Sequence, residues 1–261
     1  MTCNAGGEGS DPLGAMARYD FNAQRLFVEA DLAEAATVAC SSAQANYLKN
    51  VLRLKAGDDM LVFNGRDGEW RSELAEAGKR GASLRIRAQV RSQEGGPDID
   101  YLFAPLKRAR LDYLVQKATE MGVARLRPVL TRRTTPERVN VERMHANAIE
   151  AAEQCGILRI PEVRAPEKLE TVVAGWDATR PIVFCDEASE EHCPLTTLAS
   201  LQPGPLALLI GPEGGFDESE RALLASKPFV ARISLGPRIL RADTAAVAAL
   251  ALVNAVLGDW R

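Results

Sequence analysis

Five short aliphatic runs follow residue 98, and segments with helical spacing separate them. The runs are YLFAPL, RLRPVL, PIVFCD, LALLI and ARISL. Uninterrupted aliphatic runs of this length are typical of strands buried on both faces, and their alternation with helices is typical of a parallel sheet. The sequence therefore predicts an α/β domain over residues 97–261, with helices on both faces of a parallel sheet.

The first hundred residues show a different pattern of short strands with one helix. The helix is predicted to begin after a cap at Ser41 or Ser42. In SLRIRAQVR the side chains alternate, so the strand is predicted to be half-buried with a basic outer face. Its inward residues would be Leu84, Ile86, Ala88 and Val90. The paired glycines and the proline of SQEGGPD, residues 92–98, predict a linker between two domains.

The composition limits cofactors and compartment. The five cysteines include no C-x-x-C pair and the two histidines are far apart, so we expect no metal site. Scattered thiols without an apolar signal segment predict a cytoplasmic protein. The longest apolar stretch, Thr244 to Gly258, is shorter than the roughly 20 residues of a membrane span and predicts a buried helix. The small, polar residues 1–17 predict a flexible extension.

The charge is unevenly distributed along the chain. The formal net charge is -3, which argues weakly against a nucleic-acid partner. Between Lys79 and Arg133, however, the sequence contains thirteen basic and five acidic residues, a net charge of +8. Such asymmetry favours an anion-binding face on an otherwise acidic protein, although basic residues on ordinary solvated faces would give the same count.

The stretch LIGPEGGFDESE joins an aliphatic run to a helix start. Asp217 is predicted to cap the helix, with Glu220 completing a capping box. Glycines after a strand let backbone N–H groups approach a ligand, and ligands of open α/β sheets bind at this end of the strands. The loop has neither a P-loop lysine nor the pattern G-x-G-x-x-G. Because Glu213 would repel phosphate, a cationic or neutral ligand is favoured, unless the carboxylate only satisfies the loop's own donors.

A second junction of this kind joins ARISL to a long apolar helix through GPRILRAD. Asp243 or Thr244 is predicted to cap the helix. Arg238 and Arg241 flank two aliphatic residues, so the loop could place apolar groups against a flat ring and a guanidinium near an anion. Two such loops could form the floor and wall of one small-molecule site, although βα connections are commonly short and rich in glycine.

The two junction motifs together resemble the signature of a known family. GPEGGF and LGPRILRADTA are similar to the 16S ribosomal RNA (uracil-N3)-methyltransferases, the family called ribosomal RNA small subunit methyltransferase E, in the knotted SPOUT superfamily. KRARLDYLVQKATEMGV, TRRT and EAAEQCGILRIPEV resemble its lysine-rich helix, its serine/arginine loop and its Glu-Gln helix end. RLFV and YLKNVLRLKAGD resemble its PUA-like barrel, so the resemblance extends from Arg18 to the end of the chain.

This resemblance implies a fold, a reaction and a partner. The fold would be a PUA-like β-barrel over residues 18–92 and a SPOUT domain with a trefoil knot over residues 97–261. The reaction would be transfer of a methyl group from S-adenosyl-L-methionine to N3 of uridine 1498 in 16S rRNA, within the small ribosomal subunit, by a homodimer. The implied cofactor contacts are Gly211, Glu213, Gly214, Gly215, Leu235, Gly236, Ile239, Leu240 and Arg241.

Catalytic and RNA-binding roles follow as hypotheses from the resemblance. The proton on uracil N3 has to leave, and either Glu213 acts as the base or Arg241 stabilises the developing anion. The RNA-binding candidates are Arg53, Arg85, Arg87, Lys107, Arg133 and Arg159, each expected to contact phosphate rather than a base edge. Ile157 stands where the family pattern has arginine. Either Arg159 supplies that contact, or this helix end binds RNA less tightly.

Two other functions fit parts of the sequence. A SPOUT enzyme acting on another RNA, for example on a ribose 2'-oxygen of transfer RNA, would carry similar cofactor loops. A ribosome-assembly factor without catalysis would keep the fold and its RNA-binding surface. The intact residues Gly211, Glu213, Gly214 and Arg241 argue against the second alternative.

Overall fold

The computed structural model describes residues 23–78, 81–135, 138–188 and 193–261. The chain divides into two compact units, Met1–Ser92 and Gln93–Arg261. The predicted flexible extension over residues 1–17 lies outside the described residues, as does His192.

The first unit is built on a five-stranded sheet with the strand order β1-β3-β4-β5-β2. Strands β1 and β3 are parallel and the other pairs are antiparallel. Leu48, Val62 and Leu84 lie in its hydrophobic core and are fully buried. The strands are β1 (Arg25–Phe27), β2 (Thr37–Ala39), β3 (Asp59–Phe63), β4 (Glu69–Gly78) and β5 (Gly81–Arg91).

The predicted helix of this unit begins where its cap was expected. Helix α1 (Ser42–Asn46) is capped by Ser41, whose hydroxyl accepts a hydrogen bond from the Gln44 N–H. The side-chain oxygen of Gln44 in turn accepts a hydrogen bond from the Ser41 N–H, which completes a capping box. A π-helical turn, Tyr47–Val51, follows directly. The capping prediction is therefore confirmed, and the backbone widens one turn later.

The predicted alternation along β5 is correct only for its first half. Leu84 and Ile86 are buried, but Ala88 is exposed, so its inward placement was wrong. The cause is an irregular register with β4, in which Arg71 pairs with Ala88 while Ser72 pairs with Ile86. A bulge of this kind breaks the period of two on which the prediction depends.

The second unit is a seven-stranded parallel sheet with helices on both faces. Its main strand order is β12-β10-β11-β6-β7-β8, and β9 also pairs with β7. The strands are β6 (Ile99–Phe103), β7 (Arg125–Leu130), β8 (Glu162–Val163), β9 (Glu167–Lys168), β10 (Ile182–Cys185), β11 (Leu206–Ile210) and β12 (Val230–Ile233). The helices are α2 (Arg108–Glu120), α3 (Val141–Cys155), α4 (Leu169–Ala174), α5 (Pro194–Ser200), α6 (Glu218–Ala225) and α7 (Ala242–Val256).

Alternate residues of the central strands point into two separate cores. Tyr101 and Phe103 pack with residues of α2, α3, α5 and α7. Leu102, between them, packs on the opposite face with residues of α4 and α6. All five aliphatic runs form strands, which confirms the predicted α/β fold.

The helix ends follow local sequence in part. Helix α2 ends before Gly122, whose φ of +77° is the left-handed conformation that glycine tolerates. The N-cap position of α7 is Arg241, and no side chain caps this helix. The Asp243 carboxylate instead accepts a hydrogen bond from the N–H of Thr244, so the predicted cap at either residue was wrong. Among the described residues, no helix has the length and apolar character of a membrane span.

Candidate functional site

The candidate site lies at the carboxyl edge of the parallel sheet. The Ala104 N–H, just after β6, donates to the carbonyl of Ile210, the last residue of β11, at 3.1 Å. Because all strands of this sheet are parallel, the loops that follow β6, β7, β10, β11 and β12 emerge at this same edge. Ligands of open α/β sheets bind at this edge.

The glycine loop after β11, residues 211–216, is a tight turn into α6. The Gly215 N–H donates to the Pro212 carbonyl at 2.9 Å, and Gly215 has a φ of +69°. The Asp217 carboxylate accepts hydrogen bonds from the Ser219 hydroxyl and N–H, which hold the pKa of Asp217 below its usual range. Together with Glu220 it forms the predicted capping box, which is confirmed.

Gly211 is required by a close approach and not by its backbone angle. A Cβ at this position would lie 2.4 Å from Cε2 and 2.8 Å from Cδ2 of Phe216. The Phe216 ring is 2% exposed and packs edge-on against Phe184, with ring centroids 4.9 Å apart. The ring therefore cannot move aside without disturbing the core beneath the loop.

Replacement of Gly211 by alanine is expected to lower the free energy of unfolding by about 2 kcal/mol, the usual cost of overpacking a filled core. Urea unfolding measures this change. Gly95→Ala is the matched control, because a Cβ at Gly95 meets nothing within 4 Å. Equal stabilities of the two variants would contradict the steric role of Gly211.

Arginines from three elements surround the glycine loop. The Arg110 guanidinium, in the first turn of α2, forms an ion pair with Glu213. Arg133, in the loop after β7, donates to the Gly214 carbonyl at 2.8 Å. Arg221 of α6 pairs with Glu187, whose carboxylate lies against Gly215. Two of these arginines, Arg110 and Arg133, contact the loop directly and are distant from it in sequence.

Glu220 connects the glycine loop to the TRRT segment after β7. The residue is 1% exposed. Its Oε1 accepts a hydrogen bond from the Arg132 N–H at 2.8 Å, and its Oε2 accepts one from the Asp217 N–H at 2.9 Å. One buried carboxylate therefore fixes two neighbouring loops at the edge of the sheet.

The second predicted cofactor loop, between β12 and α7, presents apolar and cationic groups outward. Gly236 has a φ of +96°, and a Cβ there would meet nothing within 4 Å. Ile239 is 91% exposed, and Leu235 and Leu240 are partly buried. Arg241 is exposed. Strand β10 separates the strands that carry the two predicted loops.

Asp186 links the elements on either side of β10. It is 1% exposed and follows the last residue of that strand. Arg232 of β12 donates to its Oδ2 at 2.6 Å, and Arg221 Nε lies 3.6 Å from its Oδ1. The neighbouring Cys185 is unsuited to act as a nucleophile, because burial raises the pKa of its thiol. No group of three or more His, Cys, Asp or Glu side chains in the described ranges could hold a metal ion.

The RNA-binding candidates lie in both units. In the first unit Arg53, Arg85 and Arg87 are exposed, and Arg87 pairs with Glu73. In the second unit Lys107 is exposed at the start of α2. Arg159 is partly buried, and its guanidinium donates to the carbonyls of Gly96 and Pro97 at 3.2 and 3.3 Å.

Four residues with contacts at this edge were not predicted from the sequence. The contacts of each of these residues depend on a partner that is distant in sequence, which no local pattern reveals. Asp186 could most readily have been predicted, because it is the last residue of the run PIVFCD and ligands bind at the carboxyl ends of such strands. The residues are Arg110, Asp186, Glu187 and Arg221.

Comparison with known proteins places the chain in a class. A family model described as an RNA methyltransferase domain matches residues 94–254. One described as an RNA methyltransferase PUA domain matches residues 41–87. The fold and the matched families define an RNA methyltransferase that carries a PUA domain.

Individual relatives narrow this class. Ribosomal RNA small subunit methyltransferase E of Rickettsia conorii is 33% identical over 233 residues, covering 88% of this chain and 94% of the relative. The Synechocystis protein of the same name is 33% identical over 240 residues, covering 90% of this chain and 78% of the relative. The chain belongs to the ribosomal RNA small subunit methyltransferase E family, which confirms the resemblance carried by its junction motifs.

A solved structure supports the same fold. A Legionella pneumophila protein, described as a methyltransferase and solved in complex with the bound cofactor SAM, matches with a TM-score of 0.81 at 28% identity. The match covers 91% of this chain and 99% of the other. The fold is therefore the SPOUT-type parallel α/β fold with a PUA-like domain.

Proposed function

We propose that the protein transfers a methyl group from S-adenosyl-L-methionine to N3 of a uridine in 16S rRNA, uridine 1498, within the small ribosomal subunit. The observation that carries this proposal is the glycine loop at the carboxyl edge of the sheet, which has the family's GPEGG sequence and a carboxylate in place of a phosphate-binding lysine. The names of the relatives, at 33% identity, support small-subunit ribosomal RNA as the substrate.

The residues of the two loops fit this cofactor. S-adenosyl-L-methionine carries a positive charge and no phosphate, so Glu213 is compatible with it. The exposed Ile239 offers an apolar contact to a flat ring, and the open space at Gly236 leaves room for the backbone to approach a ligand. The proposed cofactor contacts are Gly211, Glu213, Gly214, Gly215, Leu235, Gly236, Ile239, Leu240 and Arg241.

The chain's own residues act by orientation and charge. When bound, S-adenosyl-L-methionine would supply an electrophilic methyl group: its bond from sulfur to the methyl carbon would break and release S-adenosylhomocysteine, while a bond forms from uracil N3 to that carbon and the N3 proton leaves. We assign Glu213 as the proton acceptor and Arg241 as the group that stabilises the uracil anion. The ion pair between Arg110 and Glu213 fixes the direction of the carboxylate before substrate binds. Holding the reactants in line supplies much of the rate acceleration.

RNA binding is assigned to basic residues of both units, and the protein is proposed to act as a homodimer. The proposed phosphate contacts are Arg53, Arg85, Arg87, Lys107, Arg133 and Arg159. The target base has to be unpaired or turned outward, because N3 lies on the Watson–Crick edge. Light scattering measures the subunit number directly.

The proposal is tested with labelled S-adenosyl-L-methionine and small ribosomal subunits that lack the modification. The RNA is digested and the methylated nucleoside is identified by mass spectrometry. N3-methyluridine at a single site is the expected product, and subunits that already carry the modification are the control. A 2'-O-methylated nucleoside would move the assignment to the alternative SPOUT reaction. If the protein binds the cofactor but transfers no methyl group to the RNA of the small subunits, the result would support the non-catalytic assembly factor.

A further inference from the structure

A cleft of about 760 Å³ lies beside the glycine loop, between the first turns of α2 and α3. One wall begins at Pro105 and Leu106, directly after Ala104. The Ala104 N–H donates a hydrogen bond to the carbonyl of Ile210, the residue before the glycine loop. Residues 138–144, from the end of the loop after β7 into α3, form the other wall. The cleft therefore opens at the same edge of the sheet as the proposed methyl-transfer site, and its volume is typical of a small-ligand site.

The cleft combines an apolar floor with cationic walls. Leu106, Leu111 and Met144 contribute apolar surface, and Leu106 and Met144 are buried. Arg108 and Arg138 stand exposed in the lining. Among the described residues, neither side chain has an ion-pair or hydrogen-bond partner, although the charge of Arg108 acts on Asp112, whereas most arginine side chains of this unit are paired. A pocket with this lining suits a ligand that has a flat apolar part and a negative charge.

The framework of the cleft is already fixed without a ligand. Asp112 accepts hydrogen bonds from Arg143 Nε and Nη2 at 2.8 and 2.6 Å, and from Asn147 Nδ2 at 2.7 Å. These bonds join α2 to α3 and hold the pKa of Asp112 below its usual range, with Arg143 as the main cause. Since Arg143 and Asp112 neutralise each other, the remaining charges of the lining are the positive Arg108 and Arg138 and the negative Glu142.

We propose that this cleft binds a nucleotide of the substrate RNA next to the methylated one, with its phosphate on Arg108 and Arg138 and its base against Leu106 and Leu111. This inference rests on the proposed function, because it names a subsite of the same RNA substrate. Sequence-specific proteins bind RNA by placing unstacked bases in such pockets. Holding the neighbouring nucleotide would present the target base at the adjacent glycine loop.

The double variant Arg108→Ala/Arg138→Ala tests the subsite. We expect KM for unmodified small subunits to rise about tenfold, with kcat and the Kd of S-adenosyl-L-methionine changed by less than about twofold, because the variant removes phosphate contacts and leaves the reacting groups in place. The dependence of log KM on log salt concentration should weaken by about 1 to 2, as expected on losing two phosphate contacts.

The matched control is Arg164→Ala/Arg261→Ala, which removes the same two charges from the same unit at exposed positions outside the cleft lining. An equal rise of KM in this control would overturn the subsite, since it would reduce the effect to net charge. An unchanged KM in the cleft variant would also overturn it. Dissociation of the protein in light scattering, seen only in the cleft variant, would make the cleft a contact between two copies of the chain.

A second measurement does not depend on turnover. RNA that carries 4-thiouridine beside the target position is irradiated with the wild-type protein, and the cross-linked peptide is identified by mass spectrometry. A cross-link within residues 105–112 or 138–144 supports the subsite, and cross-links only elsewhere contradict it. If the wild type cross-links here but forms no N3-methyluridine, the subsite stands and the proposed reaction fails.

Discussion

Replacement of Arg241 by alanine is expected to lower kcat by about 100-fold, while the rise in the Kd of S-adenosyl-L-methionine, for which Arg241 is also a proposed contact, is much smaller. The magnitude is that of removing one preorganised group that stabilises a developing anion. The proposed role fits the position of Arg241, which is exposed at the N-terminus of α7, where no side chain caps the helix. The positive end of the helix dipole adds to the guanidinium charge at that point. Single-turnover methylation of small subunits measures the effect.

Arg238→Ala is the control for this variant. Arg238 is exposed in the same loop, three residues earlier, whereas Arg241 occupies the N-cap position of α7. We expect its substitution to change kcat by less than about threefold. Equal losses in the two variants would mean that the loop needs positive charge in general and that Arg241 has no specific role. Full turnover of Arg241→Ala would leave Glu213 as the only catalytic candidate.

Replacement of Glu220 by alanine is expected to lower the free energy of unfolding by about 3 kcal/mol. The substitution leaves the N–H groups of Arg132 and Asp217 without their acceptor, and each lost bond to a charged group costs roughly 1.5–3 kcal/mol. It also empties a site that is 1% exposed. Urea unfolding at neutral pH gives the difference from the slope and midpoint.

Glu218→Ala is the matched control, since Glu218 is an exposed glutamate in the first turn of the same helix. Its loss should cost at most about 0.5 kcal/mol, the usual range for a surface substitution. If both variants unfolded at the same urea concentration, the connection between the two loops would carry no stability. A further consequence is expected for the Glu220 variant: because both loops are released, its cofactor affinity should fall as well.

Local patterns predicted the parts of the fold that depend on local physics. The aliphatic runs became strands because burial on both faces leaves few alternatives, and the capping boxes at Ser41 and Asp217 formed because each is satisfied within four residues. The predicted side-chain direction of Ala88 was wrong, because the direction depends on the register with another strand. The predicted cap of α7 at Asp243 or Thr244 was wrong, because the Asp243 carboxylate accepts a hydrogen bond from the neighbouring Thr244 N–H.

The same distinction applies to the candidate site, where local motifs were predicted and contacts between distant residues were not. Its glycines and Glu213 were visible because the loop sequence is a family motif. Arg110 and Glu187 were not, because their roles depend on side chains about a hundred and about thirty residues away, at Glu213 and Arg221. The trefoil knot stays a prediction of the family resemblance.

The strand order also determines when the site can exist during synthesis. Strand β6 pairs with β11, so Ile99 cannot be paired until Leu206 has been synthesised. Strand β10 has β11 and β12 as neighbours, and β12 is the later of the two in the chain. Contacts that span such a length of chain form slowly, because a long loop has to close first. A nascent chain that has not yet reached Val230 exposes an unpaired edge of β10. The last thirty or so residues therefore complete the sheet that carries the two proposed cofactor loops, so an unfinished chain lacks an assembled candidate site.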